Sequence, residues 1–325
     1  MTRLHSARLP SLRKPSALTP GMRLGVVAPG AGSLDKASIS LGVRALQKLG
    51  FDVELGAHAL DLYGHLAGTD QARADDLLTM LERPDIDGVI CLRGGGGSMR
   101  TARAVDVARL AALAAGPPKV FVGYSDITVI HYLIQAALGW VTFYGPMVVS
   151  FADASEYVVE GFRGAVTTCR SLLVGPSPRS RYVETIVPGA AEGPLVGGCL
   201  TLLAQLVGTP WQPSTDGAIV FFEDVNEEPY AIERYLSQLL AAGWFERCAG
   251  VVVGEHANCK VRRPGPSPAL EDVFAELLTP LQVPILYNLP LGHGGDIATL
   301  PLGVPVRLDA DAGVLHTLES GVDQA

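Results

Sequence analysis

The chain has 325 residues, of which 48% are hydrophobic and 18% are charged, and its net charge is −8. Disordered chains and coiled coils are much richer in charge, so this composition predicts a globular protein of about two domains. Because the chain is mildly acidic and has no basic run beyond its N-terminus, we expect no nucleic-acid partner.

The five cysteines form no CxxC pair, and several lie in or beside apolar runs, as buried free thiols do. Residues 1–20 are basic and rich in proline but lack the apolar core of a secretory signal. No apolar run approaches the ~20 residues that a membrane-spanning helix needs. We therefore expect a cytoplasmic protein without a membrane partner, in which residues 1–20 form a flexible extension.

From Met22 onward, short apolar strands alternate with runs of helical periodicity. The pattern predicts strands at 23–28, 51–55, 88–92 and 119–122. It predicts helices at 36–50, 73–81, 100–114 and 127–138. Such alternation indicates a parallel sheet with helices on both faces, and we assign it to an α/β domain over residues 21–150. Ligands of such sheets bind beyond the carboxyl ends of the strands.

The second half of the chain has a different pattern. Residues 151–190 mix acids, Pro, Gly and Ser with weak periodicity, and we expect a connector around one helix. Residues 191–325 then form a second domain with one clear helix at 231–243. Its predicted strands are 218–222, 250–254, 284–288, 304–308 and 314–318.

Two strand ends in the first domain carry unusual residues. The strand at 119–122 runs into GYSD (123–126), where Ser125 and Asp126 are either ordinary helix caps or part of a nucleophile elbow that exposes a serine oxygen. The strand at 88–92 runs into RGGGGS (93–98). That loop is a tight turn, a phosphate cradle or an oxyanion hole, although it matches neither GxGxxG nor the lysine-containing P-loop.

An activated serine needs a base and an acid that orients the base. Among seven histidines, His293 differs because the sequence PLGHGGD sets it between glycines after a predicted strand. FFEDVNEEPY supplies Glu223 and Asp224, which strand parity places on opposite faces, so spacing alone does not choose between them. The chain lacks HExxH or a comparable ligand cluster, and we expect no metal and no cofactor.

Seven separated motifs together resemble the LD-carboxypeptidase family, serine peptidases that include muramoyl-tetrapeptide carboxypeptidases and microcin C self-immunity peptidases. The resemblance spans about residues 22–318, in the family's order. The motifs are GVVAPG (25–30), LAGTDQARADDL (66–77), RGGGGSMR (93–100), GYSD (123–126), GGCLTLL (197–203), FEDVNEEPYAIERYLSQL (222–239) and GHGGDIATLPLG (292–303).

The resemblance implies that Ser125 is the nucleophile, Glu223 the orienting acid and His293 the general base. It also implies that backbone N–H groups of Gly95 and Asp126 hold the oxyanion. Residues expected to contact substrate are Arg93, Gly94, Gly96 and Tyr124. The implied fold is an N-terminal Rossmann-like domain with a parallel sheet and a C-terminal, strand-rich mixed α+β domain. The active site is expected at the interface of the two domains, and the protein is expected to be a homodimer.

One position departs from the family pattern. Family members commonly carry an aromatic residue within this loop, as in RGGYG, whereas here the residue is Gly96. The expected reaction is release of a C-terminal D-residue, D-alanine, from murein tetrapeptides in peptidoglycan recycling. The alternative within the family is cleavage of a peptidyl-nucleotide antibiotic, and aromatic residues at only 6% weakly favour the murein substrate. A more remote alternative is a non-catalytic nucleotide- or sugar-binding protein.

Overall fold

The computed structural model describes residues 12–180, 182–262 and 265–324. Within them, the chain divides into two compact units. The first unit contains residues 12–171, residues 297–302 and the last residues from Ser320. The second unit contains residues 172–296 and 303–319. No helix in the described ranges is both long and apolar enough to cross a lipid bilayer.

The strands of the described residues, in chain order, are β1 (Arg23–Val27), β2 (Asp52–Leu55), β3 (Gly88–Cys91), β4 (Val120–Gly123), β5 (Thr142–Tyr144), β6 (Leu173–Val174), β7 (Glu184–Val187), β8 (Ala190–Cys199), β9 (Ile219–Val225), β10 (Gly250–Ala257), β11 (Ile285–Leu289), β12 (Leu300–Leu302), β13 (Pro305–Asp309) and β14 (Val314–Thr317). The α-helices are α1 (Lys36–Lys48), α2 (Asp70–Glu82), α3 (Ser98–Ala104), α4 (Val107–Ala112), α5 (Thr128–Leu138), α6 (Glu156–Thr167), α7 (Leu200–Leu206), α8 (Pro229–Ala241) and α9 (Leu270–Leu278).

The first unit is built on a six-stranded sheet in the order β12-β5-β4-β3-β1-β2. Strands β1 to β5 pair in parallel, and β12 closes one edge antiparallel to β5. The four strands predicted for this half of the chain are β1 to β4. Consecutive loops therefore leave the sheet at its carboxyl edge. There β3 leads into the loop RGGGGS (93–98), called the glycine loop below, and β4 leads into Ser125.

The second unit contains an eight-stranded mixed sheet in the order β6-β14-β13-β8-β9-β10-β11-β7. Its centre, β8 to β11, is parallel, and the flanking strands pair antiparallel. The five predicted strands of this half are β9, β10, β11, β13 and β14. The expectation of an α/β protein with a parallel-sheet domain and a strand-rich mixed domain is confirmed.

Element boundaries differ from the sequence prediction where local capping decides them. The helix predicted over 100–114 is two helices, because the first ends with the extended residue Val105 as its C-cap and Asp106 caps the start of the second. The Asp106 carboxylate accepts hydrogen bonds from the N–H groups of Ala108 and Arg109. The predicted connector over 151–190 contains α6 as expected, but it also contributes the two edge strands β6 and β7 of the second sheet.

The domain limits also differ from those predicted. Residues 297–302 belong to the first unit because β12 pairs with β5. Residues 12–20, expected to be part of a flexible extension, pack on the same unit. Ala17 and Leu18 are buried, and the backbone of Arg13 pairs with that of Trp140 in an isolated β-bridge. Residues 1–11 of the expected extension lie outside the described residues.

Candidate active site

Ser125 lies at a strained turn between a buried strand and a helix. Strand β4 ends at Gly123, a single 3-10 turn covers Ser125–Ile127, and α5 begins at Thr128. The backbone of Ser125 has φ of 65°, a left-handed value that few non-glycine residues adopt. Its N–H donates to the Tyr144 hydroxyl at 3.1 Å, and its carbonyl accepts from the Thr128 hydroxyl at 2.7 Å. This is the strand–turn–helix geometry of a nucleophile elbow.

A buried histidine supports this turn from within the first unit. The ring of His131, on α5, donates from Nε2 to the carbonyl oxygen of Gly123 at 2.9 Å. Burial lowers the pKa of His131 to about 4, so the ring is neutral at physiological pH. His131 is therefore a structural tie between α5 and the end of β4.

The glycine loop passes directly against Ser125. A Cβ atom at Gly94 would lie 2.9 Å from the Ser125 Cβ atom and 3.1 Å from its Oγ atom, which only glycine avoids. The Gly94 carbonyl accepts a hydrogen bond from the N–H of Ala31 at 3.2 Å. Because a trans peptide unit is planar, the N–H of Gly95 points to the opposite side, away from Ala31. Gly95 itself has φ of 104°.

Asp126 is held by α3. Its carboxylate accepts from the Ser98 N–H at 2.9 Å, and its carbonyl accepts from the Ser98 hydroxyl. Burial raises the pKa of the Asp126 carboxyl. The sequence leaves a helix cap as one interpretation of Asp126, but its side chain satisfies the first N–H group of α3 and not that of the helix that follows it. Gly94 also lies beside the Asp126 backbone nitrogen, since an added Cβ at Gly94 would be 3.4 Å from that nitrogen.

Three further residues are expected at the substrate site, two within this loop and one before Ser125. An added Cβ at Gly96 meets nothing within 4 Å in the described residues, so a side chain there would have open space. The Arg93 guanidinium donates to the Gly32 carbonyl at 3.2 Å. Tyr124 is half-buried, with its ring edge-on to that of Tyr144 at 6.3 Å between centroids.

In the second unit, Glu223 and His293 form a buried pair. The Glu223 side chain, on β9, is fully buried, and its Oε2 atom lies 2.7 Å from the Nδ1 atom of His293. The same oxygen accepts from the His293 backbone N–H at 3.2 Å. Gly292 packs so closely that an added Cβ would lie 1.9 Å from Oε2, and its φ is 87°. Glycine at 292 is thus required for the carboxylate to reach the ring.

The electrostatics of this pair favour a poised base. Burial, the largest influence, lowers the pKa of His293, but the charge of Glu223 and its hydrogen bond together raise that pKa above its usual value. A carboxylate at Nδ1 also fixes the tautomer in which Nε2 is the basic nitrogen. The pair is therefore suited to accept a proton at Nε2 and to stabilise the resulting imidazolium.

Asp224 points elsewhere, which answers the question that spacing leaves open. Its Oδ2 atom accepts from the N–H and the hydroxyl of Thr201, at 2.9 Å and 2.8 Å, near the start of α7. Burial first, and the neighbouring charge of Glu223 second, raise the pKa of Asp224 to about 6. Asp224 therefore binds Thr201 in the first turn of α7, and Glu223 is the acid that contacts His293.

The structure thus gathers Ser125, Gly94 and Asp126 within the first unit, and Glu223 and His293 within the second. Sequence reasoning did not single out Gly292, Tyr144 or Ser98. Gly292 is in the quoted motif GHGGD, so a glycine before the histidine was the available signal, whereas nothing local marks Tyr144. Across the described ranges, no three side chains of His, Cys, Asp or Glu gather as a metal ion would need.

Comparison with known proteins identifies relatives over both units. The family model of the LD-carboxypeptidase N-terminal domain matches residues 24–145, and that of the C-terminal domain matches residues 192–308. A protein named probable murein peptide carboxypeptidase, from Bacillus subtilis, is 34% identical over 315 residues, which is 96% of each chain.

Two solved structures of relatives share the fold. The muramoyltetrapeptide carboxypeptidase from Oxalobacter formigenes has a TM-score of 0.77 and 29% identity, and the match covers 93% of this chain and 99% of that one. The microcin C7 self-immunity protein MccF, in complex with glutamyl sulfamoyl guanosine, has a TM-score of 0.86 and 25% identity, with 97% and 100% covered. The MccF sequence from Escherichia coli is 28% identical over 301 residues, 83% of this chain and 85% of its own.

Proposed function

The chain belongs to the LD-carboxypeptidase family, and within it we propose a serine-type carboxypeptidase that releases a C-terminal D-amino acid from murein tetrapeptides. The observation that carries the serine mechanism is the buried pair of Glu223 and His293, with 2.7 Å between Oε2 and Nδ1. A carboxylate in that position serves a histidine that acts as a base at Nε2. The turn at Ser125 supports its role as the nucleophile that this base activates.

In the proposed reaction, the Oγ atom of Ser125 attacks the carbonyl carbon of the scissile amide while Nε2 of His293 takes the hydroxyl proton. The carbonyl oxygen becomes an oxyanion, which the N–H groups of Asp126 and Gly95 stabilise. His293 then gives the proton to the departing amine, so the D-amino acid leaves and an acyl-enzyme remains. Water, activated by the same histidine, hydrolyses the ester and regenerates Ser125.

The proposal that the preferred substrate is a murein peptide is supported by the relative named probable murein peptide carboxypeptidase, which is 34% identical over 96% of the chain. The second candidate is an aminoacyl- or peptidyl-nucleotide, supported by the fold match to MccF in complex with glutamyl sulfamoyl guanosine. Both substrates place a hydrolysable acyl bond at the serine. They differ in the leaving group, which is a D-amino acid in one case and a nucleotide moiety in the other.

We also propose that the enzyme is cytoplasmic. Its five cysteines are free thiols, as is usual for proteins of a reducing compartment. A homodimer is a further expectation from the family, and light scattering of the purified chain tests it.

The substrate is tested by incubating the pure protein, side by side, with a murein tetrapeptide and with an aminoacyl sulfamoyl nucleoside. Mass spectrometry of the products reports D-alanine or the free nucleoside sulfamate. We expect kcat/KM to be higher for D-alanine release from the tetrapeptide than for cleavage of the nucleoside. Preferred cleavage of the nucleoside would establish the second candidate instead.

The serine mechanism is tested separately with a fluorophosphonate, which phosphonylates activated serines. We expect one label, on the peptide that contains Ser125, and none in Ser125→Ala. Because the three groups act as one unit, Ser125→Ala and His293→Ala should each lower kcat by several orders of magnitude, and the double variant should lower it no further. A label on another serine, or multiplicative effects in the double variant, would refute this mechanism. Absence of any label together with tight nucleotide binding would indicate a binding protein.

A further inference from the structure

The segment LAGTDQARADDL (66–77) has no part in the reaction described above, yet it carries a buried charge. Arg73, on α2, is only 2% exposed. A guanidinium in the interior is strongly destabilising unless its donors are paired. The hydrogen-bond partners of Arg73 therefore indicate which parts of the structure this charge fixes in place.

The Arg73 guanidinium is paired on all three of its nitrogen atoms. Its Nε atom donates to the Thr101 hydroxyl at 2.8 Å, and Nη1 donates to the Gly68 carbonyl at 2.7 Å. Nη2 donates to the Asp70 carboxylate. Because a guanidinium can only donate, the Thr101 hydroxyl accepts from it, which leaves the hydroxyl proton for the Pro29 carbonyl at 2.7 Å.

The helix that carries Thr101 also holds the turn of the proposed nucleophile. Ser98 lies three residues earlier on the same face of α3, and it bonds both the carboxylate and the carbonyl of Asp126. Next to Pro29, Gly30 abuts the Asp126 carboxylate, since an added Cβ would lie 2.6 Å from Oδ2. Helix α3 therefore connects the turn at Asp126 to the loop that begins at Pro29.

That loop in turn orients the glycine loop. The N–H of Ala31, two residues after Pro29, holds the Gly94 carbonyl, and the orientation of this peptide unit fixes the direction of the Gly95 N–H. A shift of the Pro29 loop would rotate the Gly94–Gly95 peptide. A shift of α3 would displace Asp126.

We infer that Arg73 and Thr101 are positioning residues that set the directions of the Gly95 and Asp126 N–H groups around Ser125. The inference rests on the proposed serine mechanism. Because a misplacement of about 1 Å at a reacting centre can lower the rate about 100-fold, loosening these residues should affect turnover more than substrate affinity.

The main test is Thr101→Val in the full chain, which replaces the hydroxyl by a methyl group of similar volume. We expect kcat on the tetrapeptide to fall roughly 10- to 100-fold with KM changed by less than about threefold. Thr101→Ser retains the hydroxyl and should keep kcat near the parent value. Arg73→Lys keeps the charge but loses the planar fork of donors, so it should behave like Thr101→Val.

Arg100→Met is the matched control. Arg100 contacts the same Asp70 carboxylate, at 3.0 Å and 3.1 Å, but through the other oxygen, Oδ2, and its side chain is 54% exposed. The variant therefore removes a surface partner of Asp70 and leaves the buried connection in place. We expect kcat within about twofold of the parent, as for most surface ion pairs.

The rate of phosphonylation of Ser125 by a fluorophosphonate, per folded molecule, is the readout that a purely structural role would not change. Circular dichroism and thermal melts supply the folded fraction. We expect this rate to fall in parallel with kcat in Thr101→Val and Arg73→Lys. If either variant folds, melts at a lower temperature and keeps the parent rates, the inference is overturned. Persistent turnover by Ser125→Ala would instead refute the proposed mechanism, independently of the result at Thr101.

Discussion

The variants Glu223→Gln and Asp224→Asn each remove one charge from the two adjacent acids of β9. Measured in parallel, they show which acid serves His293. Glu223→Gln retains a side-chain oxygen that can accept from Nδ1 and from the backbone N–H of His293, as Oε2 does now at 2.7 Å and 3.2 Å. What it loses is the negative charge that stabilises the imidazolium formed during attack. The variant therefore isolates the electrostatic contribution of the pair.

The magnitude follows from the burial and separation of the two groups. Side-chain exposure is 0% for Glu223 and 16% for His293, so solvent screens the interaction weakly. Opposite charges with centres about 4 Å apart interact by about 4 kcal/mol at an effective dielectric constant of about 20. Since about 1.4 kcal/mol is a tenfold change in rate, kcat/KM of Glu223→Gln should fall about 1,000-fold.

The pH profile provides a second, independent readout. His293 must be neutral to act as a base, so activity is lost as the pH falls through its pKa. In the parent protein Glu223 holds that pKa above its usual value despite burial. Without the Glu223 charge, burial, which is the largest influence, is opposed mainly by the smaller effect of the Asp224 charge, so the pKa should fall and the acid limb of kcat/KM should move to lower pH. An unchanged limb in Glu223→Gln would contradict the assignment of His293 as the base.

Asp224→Asn is the matched control, because Asp224 contacts Thr201 and not His293. We expect kcat/KM within about threefold of the parent, since the proposed charge pair is intact. The pKa of Asp224, raised to about 6, lies above its unfolded value, so its favourable contribution to folding is present at low pH and is lost as the pH rises toward and through 6. The variant should therefore lose less stability than the parent between pH 4 and pH 7 in urea unfolding. If Asp224→Asn instead loses 1,000-fold in activity with its fold intact, while Glu223→Gln does not, the reasoning from this geometry is wrong.

Four further outcomes are expected. Gly96→Tyr should lower KM about tenfold with little change in kcat. The added Cβ has open space, and an aromatic side chain beside the substrate contributes about 1–3 kcal/mol in ground and transition states alike. A collapse of kcat at constant KM, measured by steady-state kinetics, would contradict this. Gly94→Ala should lower kcat by more than about 100-fold, because its Cβ would meet the Ser125 Cβ at 2.9 Å, whereas Gly96→Ala is the harmless control. His131→Gln should lose about 2 kcal/mol less stability than the parent between pH 7 and pH 5, because the buried parent ring, with pKa lowered to about 4, resists the protonation that the unfolded chain accepts; equal losses in urea unfolding would exclude this role. EDTA should leave activity unchanged, and loss on chelation with recovery on adding zinc would rule out the serine mechanism.

Sequence by itself determined the elements whose signal is local. The alternation of apolar strands with periodic helices predicted β1 to β4 and the parallel sheet, because buried parallel strands are short continuous apolar runs, whereas amphipathic helices repeat about every 3.6 residues over a longer stretch. The ordered motifs identified the family, and the glycines around His293 marked a loop that only small residues can form. These features depend on neighbours a few residues apart, so a linear pattern records them.

Tertiary structure decided what depends on residues distant in the chain. Strand parity showed that Glu223 and Asp224 face opposite ways, but only the pairing of β9, β10 and β11 brings His293, 70 residues later, to the Glu223 side. The same holds for β12, which crosses back to β5, and for residues 12–20, whose composition resembles a tail although Leu18 is buried. A carboxylate's partner, a strand's sheet and a segment's burial are set by long-range packing, because their stabilising contacts come from parts of the chain that no local pattern connects.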